Sequence, residues 1–177
     1  TFSYDAFSSI NFPLIGKIQN DTVLYYIEET VRPKEVKFYG RMDRNVFLWK
    51  LTPGVSAKVI PYILREYDCI IMEGFGVGGL PDHLREAFLT EMKQYKAHEK
   101  LLVMTTQVTY EGSSMDTYVV GKAAKDELPF LETYDMTLEA VYAKLMWILG
   151  LHITSRQEME RLFYQKINHD IMPIRSH

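Results

Sequence analysis

Two stretches of this 177-residue chain could bring polar groups to a small ligand. The first is Gly74-Phe75-Gly76-Val77-Gly78-Gly79, which follows the apolar run Asp68 to Glu73 and precedes Pro81. Backbone N–H groups at a strand-to-helix turn can approach a phosphate or a carboxylate closely. The same glycines can equally serve positive φ in a tight turn. The dinucleotide fingerprint is not met, because no acidic residue closes the following strand at the right distance. The second stretch is Gln107 to Asp116 (QVTYEGSSMD), with the hydroxyls of Thr109, Tyr110, Ser113 and Ser114 and the carboxylates of Glu111 and Asp116. That composition also suits a plain solvated turn. Its place after another strand is what sets it on the same rim as the glycines.

Other reactive groups do not assemble a site in the sequence. His83, His98, His152, His169 and His177 are scattered, and no pair has metal-ligand spacing with acidic support. The G-x-S-x-G elbow of serine hydrolases is absent. Thr1 could act as an N-terminal nucleophile with its own amine as base. That chemistry needs a layered apolar sheet directly after the threonine, and the residues that follow Thr1 read as linker. Cys69, the one cysteine, lies inside an apolar run and reads as a small core residue. No metal and no cofactor is expected.

The elements that must position these loops follow from periodicity. Asn45 to Leu51 reads as a strand, turned by Thr52-Pro53-Gly54, and Ser56 to Tyr67 has helical spacing. Asp68 to Glu73 and Leu101 to Thr106 are short continuous apolar runs, as expected of strands buried on both faces. Pro81 suits the first position of a helix that should reach about His98. Asp135 or Thr137 can cap a helix through Leu149 closed by Gly150, and Ser155 with Glu158 has capping-box spacing for a last helix to about Ile167. Strands alternating with helices predict a small open parallel α/β sheet flanked by helices. Residues 1–40 differ: 1–20 read as irregular around Pro13 and Gly16, and Thr22 to Glu28 as a strand. They form an extended segment ahead of an α/β domain over 41–177.

Composition narrows the class. With 47% hydrophobic and 24% charged residues, the chain has the make-up of a globular protein. A net charge of -3 with mixed signs gives no footprint for nucleic acid, and Lys144 interrupts the longest apolar stretch, so no membrane span is expected. A single thiol fits a reducing compartment.

Several segments in order resemble type I, cytoplasmic bacterial L-asparaginases. Asp5-Ala6-Phe7-Ser8-Ser9-Ile10-Asn11 is similar to their D-A-F-x-S-P-N, with Ile10 in place of proline. Leu51-Thr52-Pro53-Gly54 is similar to L-x-P-G, and Glu73 to Pro81 resembles E-S-F-G-A-G-G-I-P. Tyr118 to Gly121 fits Y-x-V-G, and Asp135 to Ala140 with Ala143 to Trp147 resembles D-M-T-x-E-A…K-L. The series covers about Asp5 to Gly150. The resemblance implies the C-terminal half of such an enzyme, with a Rossmann or flavodoxin-like C-terminal domain.

It also implies a reaction: water and L-asparagine to L-aspartate and ammonia, without cofactor, through a threonine in a G-G-T segment and a second threonine in H-G-T-D. Neither segment occurs here, so this chain is expected to hold no catalytic residue and to be inactive alone. The resemblance assigns closure of the substrate's amino and carboxylate pocket, across a subunit contact, to Gly76, Gly78, Gly79, Ser114 and Asp116. Gly79 stands where some relatives carry asparagine, so only backbone contact is available there. The implied partners are the missing N-terminal half, further copies in a homodimer or homotetramer, and an amino-acid amide, in the cytoplasm. Rival readings are an asparaginase-like amidotransferase subunit and a binding domain without chemistry. Phe2, Tyr4, Phe7, Phe12 and Tyr25 are many aromatics for a solvated linker, and they should dock on a preceding domain. Without one, the chain should self-associate through residues 1–30 or leave them disordered; light scattering showing a clean monomer with that segment ordered would refute this.

Overall fold

The computed structural model describes residues 12–27, 35, 37–96 and 98–172. Phe2, Tyr4, Phe7, the Asp5–Asn11 segment, Thr1 and His177 lie outside them.

The centre is a four-stranded parallel sheet whose strands follow in chain order: β3 (Val46–Lys50), β4 (Cys69–Gly74), β5 (Leu101–Thr106) and β6 (Phe130–Glu132). β4 and β5 pair over their full length, Cys69 opposite Leu101 through Gly74 opposite Thr106. Both are buried almost throughout, which explains their unbroken apolar sequence. α1 (Ile60–Glu66), α2 (Asp82–Met92) and α3 (Val119–Glu127) connect successive strands. Crossovers of one hand in a sheet ordered along the chain place every connecting helix on the same face. Accordingly Ile63, Leu84, Phe88 and Ala124 pack on Trp49, Ile70, Met72, Leu102 and Met104. The opposite face, carrying Val46, Cys69, Ile71, Leu101, Val103 and Leu131, is covered by α4 (Leu138–Gly150) and α5 (Arg156–Phe163). A fully buried Leu, Ile or Phe contributes about 1.5–3 kcal/mol, so these two apolar layers outweigh the surface ion pairs.

Local signals explain the boundaries. Thr137, not Asp135, caps α4, its side chain accepting from the Ala140 N–H. Ser155 accepts from Glu158 N–H at the start of α5. Pro81 sits one residue before α2, with its carbonyl accepting from Leu84 and Arg85. Several expectations need correction. The 56–67 helix is split into a short 3-10 turn, Ala57–Val59, and α1. α2 stops at Met92 and α5 at Phe163, short of His98 and Ile167. α3 and β6 have no counterpart among the elements expected from periodicity. Residues Gly16–Gln19 are not irregular but form β1, paired antiparallel with β2 (Thr22–Tyr25). The turn between them holds Asn20 at φ 49 and Asp21 at φ 59, the left-handed pair of a tight hairpin.

Gly150 has a different task from the one expected. It is the last residue of α4, not a left-handed residue beyond it. The chain entering the sheet passes so close that a Cβ on Gly150 would lie 2.5 Å from the Arg41 carbonyl oxygen. Beside it the Asp43 N–H donates to the Met146 carbonyl at 2.9 Å, tying the entering chain to α4. Gly150→Ala is therefore expected to lower the unfolding free energy by about 1–3 kcal/mol through overpacking, read from urea denaturation. Cys69 is fully buried, and burial pushes its thiol up from the ordinary range. It should react with a thiol reagent only as fast as the chain opens; prompt labelling of the native protein would contradict this placement.

Candidate functional site

The loops after β3, β4, β5 and β6 leave the same end of the sheet, because the strands are parallel and in register. The glycine loop turns back at once, with Gly78 N–H donating to the Phe75 carbonyl at 3.2 Å. Gly76 has φ 51 and Gly78 φ 113, a left-handed pair that a side chain would strain. Gly78 is also packed: a Cβ there would meet Met104 at 3.4 Å and Met115 at 3.6 Å. The turn reading of the glycines thus holds for Gly78, whose amide is used inside the loop.

The polar loop is stitched to the glycine loop by several bonds. Ser114 N–H donates to the Val77 carbonyl at 2.5 Å. The Thr106 hydroxyl donates to the Gly76 carbonyl and accepts from Val108 N–H at 2.9 Å. Gln107 adds a three-way tie. Its backbone N–H reaches the Gly74 carbonyl at 3.0 Å, and its side-chain amide reaches the Leu51 and Glu73 carbonyls at 2.8 and 3.0 Å. Gly76, Gly78, Gly79, Ser114 and Asp116 are therefore brought to one rim. Gly76 and Asp116 are exposed, Gly79 and Ser114 half-buried, Gly78 buried.

Beneath that rim lies a charge cluster that sequence reasoning missed. Glu132, at the end of β6, is 2% exposed. One of its oxygens accepts from Met115 N–H at 2.5 Å, and the other pairs with Lys125 of α3 at 3.3 Å. The same Lys125 ammonium also pairs with Asp116, whose side chain is 64% exposed. Burial pulls the Lys125 ammonium down, but the two carboxylates outweigh it and hold it above the ordinary lysine range. Burial, with Glu132 nearby, raises the Tyr134 phenol. Burial also pushes the Tyr164 phenol up to about 12; its oxygen accepts from the Glu132 N–H at 3.0 Å. A signal was present in the acid that ends the apolar pair Phe130-Leu131, but a three-residue strand is too short to read.

His83 contacts the Val55 carbonyl at 2.9 Å, and the His169 ring lies tilted against Phe12 at 4.8 Å between ring centres. His98 and His152 line a groove of about 480 Å³ with Asp68 and Lys100. Those residues precede β4 and β5 or follow α4, so the groove opens at the opposite end of the sheet from the glycines. Among the described residues no group of three or more acidic, histidine or cysteine side chains is placed to hold a metal ion. No described helix is long and apolar enough to cross a membrane.

A family model, the glutaminase/asparaginase C-terminal domain, matches residues 45–163, the whole span from the start of β3 to the end of α5. The chain belongs to that family. Within the glutaminase/asparaginase group, it is 38% identical over 167 residues to an L-asparaginase of Thermococcus kodakarensis, covering 94% of this chain and 50% of that protein. A component of the glutamyl-tRNA(Gln) amidotransferase of Pyrococcus furiosus is 29% identical over 173 residues, covering 96% of this chain and 38% of the relative. Among solved structures, the thermostable L-asparaginase from Thermococcus kodakarensis superposes with a TM-score of 0.81 at 34% identity, over 94% of this chain and 50% of that one. L-asparaginase I from Vibrio cholerae gives a TM-score of 0.77 at 23% identity, over 95% and 50%. The chain spans about half the length of the asparaginase relatives it matches. An asparaginase C-terminal domain with helices on both faces of an open parallel sheet is what the sequence implied.

The charge cluster makes an asymmetric prediction. Lys125→Met leaves a buried carboxylate unpaired and should cost about 2–4 kcal/mol, the lower part of the usual range because Lys125 is itself partly exposed. Asp116→Asn removes only an exposed partner and should cost under about 1 kcal/mol. Thermal or urea denaturation of the two variants, side by side, reads the difference; equal losses would count against the cluster.

Proposed function

We propose that this chain is the C-terminal part of an L-asparaginase, which closes a substrate pocket whose nucleophile lies in a preceding half. The overall reaction is L-asparagine plus water to L-aspartate and ammonia. The observation that carries this reading is the joined rim of glycine and polar loops, in a chain 38% identical to an L-asparaginase. In this assignment residues 1–40 are the end of the large domain and a linker, and 41–177 the C-terminal domain. A threonine hydroxyl from the other half adds to the side-chain amide carbon, ammonia leaves, and water releases aspartate. The developing oxyanion and the proton transfers belong to that half. This chain supplies recognition: backbone N–H groups at Gly76 and Gly79 toward a carboxylate, and the Ser114–Asp116 turn toward the substrate's amino group. No cofactor is required. Assembly as a homodimer or homotetramer in the cytoplasm completes the reading.

A second reading has its own support, since glutamyl-tRNA(Gln) amidotransferase components also match along most of the chain. There the ammonia would pass to a partner for use on a charged tRNA. The higher identity to an L-asparaginase, 38% against 29% for the amidotransferase component, favours the hydrolase.

The chain alone should release no ammonia from L-asparagine above a contaminant-controlled blank. Co-expression with the part of the Thermococcus kodakarensis L-asparaginase that it does not cover should restore release. Asp116→Asn in that pair should raise KM with little change in kcat. Activity of the isolated chain would refute the division of labour, and a restored activity indifferent to every rim substitution would refute the role of the rim.

A further inference from the structure

The Lys125 ammonium is held by two carboxylates that differ in what they can do without it. Glu132 lies in the interior, with its side chain 3% exposed, so losing Lys125 would strand a buried charge. Asp116 is 64% exposed on its side chain, and water can take over its hydration. The Glu132 contact is therefore obligatory and the Asp116 contact exchangeable. Lys125 is itself 32% exposed, which lets solvent and solutes reach the shared ammonium from the Asp116 side.

The backbone around the pair is fixed. Glu132 anchors the Met115 N–H at 2.5 Å, and Gly121, in the first turn of α3, packs so tightly on the Met115 carbonyl that a Cβ there would collide with it. Ser114 is tied to Val77, and the Thr117 hydroxyl donates to Ser114 Oγ at 2.7 Å. The main chain on each side of Asp116 is thus held. What is left to change is which cation its carboxylate holds.

We propose that Lys125 is a built-in stand-in for the ammonium of an amino-acid ligand, held on Asp116 in the empty rim and handed to Glu132 when that ligand arrives. This rests on the assignment of the Ser114–Asp116 turn to the substrate's amino group. Glu132 is then a positioning residue: it never meets the ligand, but it gives Lys125 somewhere to go. The exchange conserves charge, since one ammonium replaces another on Asp116 while Lys125 stays paired. It also selects: a dicarboxylate without an amine has nothing with which to displace Lys125.

The test uses the full chain, isotope-labelled, titrated with L-aspartate and in parallel with succinate, which is L-aspartate without its amine. Lys125 Nζ and the Asp116 carboxyl carbon are followed by NMR. L-aspartate should shift both signals and succinate neither. Glu132→Gln keeps the size of the side chain and an acceptor for Met115 but removes the refuge for Lys125. It should weaken L-aspartate binding about two- to fivefold. Adding Lys125→Met to Glu132→Gln removes the competitor and should restore binding to the wild-type level or better. A purely structural role for Glu132 predicts the opposite, a double variant no better than the single one. If Asp116→Asn leaves L-aspartate binding unchanged, or no binding occurs, the reading of the rim fails and the exchange with it. Binding that depends on Asp116 but ignores Glu132→Gln, or a double variant without recovery, overturns the exchange alone.

Discussion

Everything in this molecule depends on the pairing of β4 with β5. Six residues of each strand lie in parallel register, and both faces of the pair are buried. Because the strands are parallel and end at Gly74 and Thr106 on the same level, the two loops that follow must emerge side by side. Nothing in the loops' own sequences enforces this. Gln107 then converts adjacency into rigidity, since one side-chain amide satisfies carbonyls at the ends of β3 and β4 while its own backbone bonds a third. Removing those bonds would leave carbonyl groups competing for water at the point where the rim has to keep its shape.

Two kinds of polar organisation meet at the ends of the sheet. At the amino ends, Lys100 reaches the Tyr67 carbonyl and Asp68, and Asn45 bonds Asp68 through both side chain and backbone. Every partner there is on a segment that enters the sheet, so the network splices the strands' beginnings. At the carboxyl ends, Lys125 joins an interior acid to an exposed one. In both the aspartate faces solvent, but the Lys100 side chain is 7% exposed and that of Lys125 is 32%. The candidate site lies at the second end; at the first, the Asp68 carboxylate already holds both Lys100 and Asn45.

How much of this could be read from the sequence depended on burial. β4 and β5 were legible because strands buried on both faces are continuously apolar, and the loop positions followed from them. α4 and α5 were legible through Thr137 and Ser155, whose hydroxyls cap as expected. α3 was not. It opens with exposed Val119 and Val120, buries only the small residues Gly121 and Ala124, and has no side-chain cap, so no start signal and no large buried residue marks it. The β1–β2 hairpin was half visible: Asn20-Asp21 is a turn signal, but its strands are largely exposed and show no clean alternation. The shared end of the five rim residues was legible because their loops follow the ends of adjacent parallel strands. The Glu132–Lys125 pair was not, because it joins two elements that the sequence did not reveal.

The division of helices between the two faces has a consequence for the order in which the protein is made. α1, α2 and α3 are interleaved with the strands, so one face of the sheet is covered as fast as the strands themselves appear. The other face waits for α4 and α5, both encoded after the last strand. Tyr142, for instance, donates its hydroxyl proton to Val46, a partner synthesised 96 residues earlier. Until α4 and α5 dock, the sheet presents Val46, Ile71, Val103 and Leu131 to its surroundings without a cover. That interval is when a nascent chain of this design is most exposed to wrong partners, and the C-terminal helices act, in the history of each molecule, as the lid that ends it.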